Sequence, residues 1–249
     1  MATVQNMDKI KERLSQMMSA SERRAQLGQD HQSLEDLVYQ RVRDKIIYHE
    51  LKPSERIIDA KLAEEFGVSR SLVRQALTIL EKEELVVSIP RRGFYVKDIS
   101  KKDVQEIYDI RKLLEVFATE LAVPNLPENQ IAQVEEIFRV AREDLKEGVV
   151  ESTIEADMRL HGMITEYCGN ERLKKMIKQY NNLYVFYRIV DLSQINRANI
   201  AYVEHYEILE AVKARDVQRA KELMGQHIEN AREIILQNFN FYTFGINEV

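Results

Sequence analysis

Tryptophan is absent from the 249 residues, cysteine occurs once, and only four prolines and eight glycines punctuate the chain. The lone Cys168 excludes an internal disulfide framework and fits a reducing compartment, so core packing must hold the fold. So few prolines and glycines favour long helices over a sandwich of short strands with many tight turns. No apolar run approaches the roughly 18 residues needed to cross a bilayer, and residues 1–30 lack the apolar centre of a signal peptide. A cytoplasmic location with no membrane partner is the expectation. No nucleotide-cradling glycine motif and no Ser/His/Asp arrangement is present, which weakens the case for an enzyme of either kind.

What is present is helical periodicity, over a length that accommodates two domains. Apolar and charged fractions of 45% and 31% are ordinary for a soluble globular chain. The net charge of −5 is unfavourable for nucleic acid, yet it is unevenly spread. Residues 34–98 carry 12 basic and 12 acidic side chains, whereas residues 99–249 carry 19 and 25. In the neutral segment Arg70, Arg74, Arg91, Arg92 and Lys97 read as locally unopposed. A modest number of phosphate contacts predicts moderate, salt-dependent DNA affinity.

Residues 61–80 are the most informative stretch. A short helix ends at Phe66, Gly67 supplies a turn, and Ser69 caps a second helix. Val73, Ala76, Leu77 and Leu80 then fall at i, i+3, i+4 and i+7, which predicts one buried stripe. The opposite side presents Arg70, Ser71, Arg74, Gln75 and Thr78, with no carboxylate before Glu81. Such a helix can enter the major groove, its first turns contacting bases and phosphates. Residues 34–48 read as a helix, and Ile57 with Ile58 as a short strand. Residues 85–89, the turn Pro90-Arg91-Arg92-Gly93 and residues 94–96 read as a β-hairpin. Three helices and a hairpin make a winged helix-turn-helix over residues 34–98. Arg91 and Arg92 sit at its tip, where they can reach phosphates or a narrow minor groove, and Gly93 allows close backbone approach. Residues 1–33 form an N-terminal extension with one amphipathic helix near residues 8–18.

Beyond Ser100, helical stretches near 101–123, 128–147, 152–168, 170–190, 196–213 and 216–239 predict an all-α bundle of six or seven helices over residues 99–249. The fold class is therefore mainly α. Three of five histidines lie in this half: His161, His205 and His227. Asp157 and His161 are four apart and share a helix face. His205 and His227 each lie about eleven residues from the turn at Arg215-Asp216, so an antiparallel hairpin sets both roughly 16 Å along from the loop. If the helix bearing Asp157 and His161 meets them at that depth, the N₃O donor set suits zinc, nickel, manganese or iron. Singly, a histidine on an apolar face is more often a hydrogen-bonded core residue than a ligand. Arg111 and Glu115 read either as an internal ion pair or as an arginine aimed at an effector carboxylate. Tyr187 and Arg188 are further candidates for lining a cavity, and the aromatic residues 239–244 for packing.

Gly67-Val68-Ser69-Arg70 with Val73-Arg74-Gln75-Ala76-Leu77, then Pro90-Arg91-Arg92-Gly93, resembles the DNA-binding domain of GntR-family transcription regulators. Ile110-Arg111-Lys112-Leu113-Leu114-Glu115, Asp157 with His161, Gly169-Asn170, Glu204-His205 and His227 resemble the FadR-type ligand-binding domain called FCD. The likeness spans residues 34–238. It implies a homodimer on a near-palindromic double-stranded DNA operator, with a small organic acid as effector. DNA contacts then fall on Ser69, Arg70, Ser71, Arg74, Arg92 and Gly93. A divalent metal, zinc first among the alternatives, falls on Asp157, His161, His205 and His227, with a ligand carboxylate completing its coordination. The pattern departs at Ala60, where members carry an arginine; the neighbouring Lys61 is the substitute phosphate contact, without a bidentate fork. It departs again at Leu160, where an aromatic is common.

The leading expectation is a ligand-responsive transcription regulator, a repressor rather than an enzyme. Its helical domain binds metal and effector and supports dimerisation. The alternative is a metal-dependent enzyme with an accessory DNA-binding module, using an open metal position to activate water or oxygen. A purely structural metal without any effector is the third reading.

Overall fold

The computed structural model describes residues 33–47, 50–98, 100–192, 195–237 and 239, without the side chains of residues 184–192 and 195. The expected helix near residues 8–18 and the aromatic tail after Phe239 lie outside the described residues. Two compact units divide the chain, the second starting at Ser100.

The first unit opens with α1 (Leu34–Ile47), which buries Val38, Val42, Ile46 and Ile47. A short strand β1 (Arg56–Ile57), α2 (Asp59–Phe66) and α3 (Arg70–Lys82) follow. Strands β2 (Val86–Ile89) and β3 (Gly93–Val96) complete an antiparallel sheet ordered β1-β3-β2. The strand expected at Ile57 and Ile58 sits one residue earlier, because Ile58 is the exposed residue that enters α2. Gly67 closes α2 at φ 68°, its N–H reaching the Ala63 and Glu64 carbonyls, a conformation that favours glycine. Ser69 then caps α3 by accepting from the Leu72 N–H. The stripe Val73, Ala76, Leu77 and Leu80 is buried, with α3 packed on α1. Leu77 and Leu80 are wholly enclosed, each worth about 2 kcal/mol of burial. That packing turns the polar side of α3 outward.

At the wing, the Arg92 N–H reaches back 3.0 Å to the Ile89 carbonyl, with Pro90 and Arg91 between. Arg91 adopts φ 64°, the left-handed position of a type II turn that normally takes glycine.

Among its described residues the second unit consists of helices joined by short turns, without a strand. Ser100 and Asp103 form a reciprocal capping box at the start of α4 (Lys101–Ala122). A 3₁₀ turn (Val123–Asn125) precedes α5 (Glu128–Lys146), α6 (Glu151–Tyr167), α7 (Glu171–Leu192), α8 (Ile195–Lys213) and α9 (Val217–Gln237). Helix α4 packs along α9, α5 against α6 and α8, and α8 forms a hairpin with α9. Arg215 in that hairpin's turn donates to the carbonyls of Val123 (2.8 Å) and Leu126 (2.6 Å). It thereby ties the α8–α9 turn to the end of α4. The six helices place four polar side chains, Asp157, His161, His205 and His227, deep in the bundle.

Candidate nucleic-acid interface and metal centre

In the first unit an open groove of about 490 Å³ separates α3 from the wing. Arg56, Arg70, Arg74, Arg91 and Arg92 line it together with Asp59, Gly93 and Phe94. Thus most residues expected to meet DNA converge on one face. Lys61, Ser69 and Ser71 do not line the groove but are exposed beside it in sequence. Two features escaped the sequence. Arg56 joins the groove from β1, visible only once β1 pairs with β3. Asp59 corrects the picture of unopposed arginines: one oxygen lies 2.9 Å from Arg70 and the other 3.1 Å from Arg74. Burial pushes the Asp59 carboxyl up, but hydrogen bonds from both arginines outweigh it and hold it below the usual carboxylate range. Arg74 also stands over the Phe94 ring, 5.4 Å from its centre. Lys97 likewise pairs with Glu84 at 2.6 Å.

In the second unit Asp157 and His161 from α6, His205 from α8 and His227 from α9 offer four donor atoms all within 4.8 Å of one another. The Nε2 of His205 is the hub: it lies 3.0 Å from His227 Nε2, 3.4 Å from His161 Nε2 and 3.0 Å from Asp157 Oδ1. Equal distance from the hairpin turn does put His205 and His227 at one height. Ligands about 2.1 Å from a shared ion stand about 3.4 Å apart in a tetrahedron and about 3.0 Å apart as octahedral neighbours. The observed spacings suit either geometry.

Hydrogen bonds on the far side of two imidazoles fix which nitrogen faces the cluster. Glu204 Oε2 lies 2.8 Å from His227 Nδ1, and Glu115 Oε2 contacts His161 Nδ1. An ionised carboxylate only accepts, so each Nδ1 carries the proton and each Nε2 presents its lone pair inward. Glu115 is itself held by Arg111 Nε at 2.6 Å, and Glu204 by Asn230 Nδ2 at 2.9 Å. His205 Nδ1 makes no hydrogen bond among the described residues. Burial, then the neighbouring His205, His161 and Arg111, holds His227 well below the ordinary imidazole range. The lone pairs of His161 and His227 and the Asp157 carboxylate all face His205 Nε2, whose single proton could serve only one of them, and protonating His227 to bridge them is disfavoured. A divalent cation answers both objections, so the residues fit a metal.

Arg111 is wholly buried and paired with Glu115. Burial alone would lower its pKa, but Glu115, Tyr108 and Asp157 raise it, so it stays charged. A cavity of about 230 Å³ opens beside the cluster, bounded by Glu115, Met158, His161, Thr165 and Lys178 among others. The side chains of Tyr187 and Arg188 lie outside the described residues. The outer acceptors Glu115 and Glu204 were legible only as neighbours of other motif residues. Their role emerges from contacts between helices.

Residues 34–96 match the model of bacterial regulatory proteins, gntR family, and residues 106–230 match the FCD domain. The chain belongs to the gntR family. Its DNA-binding domain is followed by an FCD domain, and it is a DNA-binding transcription regulator of that type. The HTH-type transcriptional regulator YdhC of Bacillus subtilis (strain 168) is 32% identical over 193 residues, spanning 77% of this chain and 86% of that protein. The HTH-type transcriptional regulator McbR of Escherichia coli (strain K12) is 27% identical over 196 residues, spanning 76% and 87%. The solved structure of E. coli McbR/YncC has the same fold, with a TM-score of 0.74 at 24% identity over 84% of this chain and all of that one. No helix among the described residues is long and apolar enough to cross a membrane.

Proposed function

We propose that this GntR/FCD regulator is a cytoplasmic homodimer that represses from a near-palindromic operator and responds to a small carboxylate effector held beside a divalent metal. The convergence of Asp157, His161, His205 and His227 in a buried cluster carries the metal part of this proposal. Zinc is the first choice, with nickel, manganese or iron as alternatives, since mixed imidazole and carboxylate donors serve all four. When bound, the ion supplies a Lewis-acidic position for a ligand carboxylate. The 230 Å³ cavity bordering His161 and Glu115 has room for about seven water-sized groups, which suits a small organic acid. Tyr187 and Arg188 are the side chains assigned to that acid, with Arg111, which does not itself line the cavity, acting through its partner Glu115. On the DNA side, Lys61, Ser69, Arg70, Ser71, Arg74, Arg91, Arg92 and Gly93 are the assigned contacts.

The test separates the two halves of the molecule. Selection from a randomised duplex pool defines a preferred operator for the parent protein. Arg70→Ala or Arg74→Ala then weakens binding to that operator by about 1–3 kcal/mol while metal content is retained. Unchanged operator affinity in both variants would remove α3 as the reading helix. Metal analysis of purified protein gives stoichiometric divalent metal, and a metal-free parent would leave only an organic-acid pocket.

A further inference from the structure

The recognition helix carries no acid before Glu81 in its last turn, yet both of its leading arginines end on one carboxylate supplied by another helix. We propose that Asp59 sets DNA specificity: it holds Arg70 and Arg74 in position for base edges and keeps the phosphates of unrelated DNA from capturing them. The inference rests on the assignment of this groove to DNA.

Three observations carry it. First, the arrangement is one carboxylate behind two guanidiniums. The Asp59 side chain is 14% exposed, against 64% for Arg70 and 58% for Arg74. Each guanidinium has five N–H donors and gives one to Asp59, so each retains enough at its outer edge for a bidentate contact with guanine. Second, the clamp is selective. Arg56, Arg91 and Arg92 share the groove but make no ion pair among the described residues. The wing and strand arginines are therefore left to meet phosphates, while the two on α3 are held. Third, Arg74 is braced on a second side by the Phe94 ring, so its guanidinium plane is fixed from α2 and from β3 together.

Stability does not account for the clamp, because ion pairs this exposed contribute little. Its consequence is electrostatic and geometric. A negative charge at the back of the groove repels an approaching phosphate oxygen and partly neutralises the two arginines that phosphate would seek. A guanine edge is neutral and pays much less of that repulsion. Fixing the guanidiniums beforehand also lowers the entropy lost when they meet a base in one orientation.

The experiment uses the full chain, the duplex selected by the parent from a randomised pool, and a scrambled duplex of equal length. Asp59→Asn and Asp59→Ser are compared with the parent over a range of salt, with melting curves confirming that each variant is folded. The expected result in both variants is about fivefold tighter binding to the scrambled duplex and at least tenfold lower discrimination. The salt slope on the scrambled duplex steepens by about 0.9, the value of one extra phosphate contact. Discrimination within twofold of the parent overturns the inference, whether affinity rises equally on both duplexes through net charge or falls equally through damage. A parent that enriches no sequence overturns the DNA assignment itself, which is a separate and recognisable failure.

Discussion

If a metal joins Asp157, His161, His205 and His227, removing it will show most clearly in thermal unfolding. The four donors come from three helices far apart in sequence, so the complete site exists only in the folded unit. Binding energy is then folding energy. At a free ion concentration a thousandfold above Kd, selective binding adds about 4 kcal/mol. For a domain of this size each kcal/mol moves Tm by about 2–4 °C, giving a shift of about 8–16 °C between chelated and metal-loaded protein. His205→Ala removes the donor nearest to the other three. It should collapse that shift to less than about 3 °C, because the remaining donors bind with affinity lowered by orders of magnitude. The chelated variant should melt close to the chelated parent: truncation leaves a small cavity but also relieves crowding among the inward lone pairs and removes the unpartnered Nδ1. Calorimetry with chelator, zinc, nickel and manganese reads this directly, and metal should move only the transition of the helical unit. A parent whose unfolding is indifferent to chelator and to every ion would refute the reasoning.

Three further predictions concern single residues. Arg91→Gly relieves a left-handed backbone position at the wing tip, so it should stabilise the fold by about 1 kcal/mol while weakening operator binding; unchanged affinity would dismiss Arg91 from the DNA face. Arg215→Ala strips two carbonyls of their donor and should cost about 2 kcal/mol in denaturant unfolding, whereas a loss under 0.5 kcal/mol would mean water replaces the guanidinium. Gly225→Ala should be neutral or stabilising by up to about 1 kcal/mol, because its added Cβ meets Val116 at 3.5 Å, ordinary contact, and helix propensity improves; a clear destabilisation would show that α4 and α9 cannot give way at all.

The elements were legible wherever their cause was local. Ser69 capping, the Gly67 turn and the Val73–Ala76–Leu77–Leu80 stripe depend on residues a few positions apart, and the structure repeats them. The depth match of His205 and His227 was equally accessible, since a hairpin converts distance from a turn into height. What escaped depends on pairing between elements. Asp59 lies eleven residues before Arg70 and fifteen before Arg74, separations with no periodic meaning, and only the crossing of α2 and α3 brings them together. Glu115 is 46 residues from His161, and Glu204 is 23 from His227. Arg111 shows the intermediate case. Its spacing to Glu115 made an ion pair one of two readings, and complete burial of the pair establishes that contact.

In the proposed regulator, an effector acts only if its affinity differs between DNA-competent and incompetent arrangements. Couplings of this kind typically amount to about 1–3 kcal/mol. One buried, charge-assisted hydrogen bond is worth about 1.5–3 kcal/mol, so altering a single such bond near the metal would suffice. The contact of Glu115 with His161 is the best placed: it joins α4 to α6, borders the cavity, and is backed by the buried Arg111. Helix α4 begins at Lys101, directly after the DNA-binding unit in the chain, whereas α6, α8 and α9 connect to it only through packing and turns. A carboxylate effector held beside His161 would change the charge there and therefore the strength of the His161 bond to Glu115. On this proposal the change at His161 would be felt in α4, the first helix after the DNA-binding unit in the chain, because α4 carries Glu115.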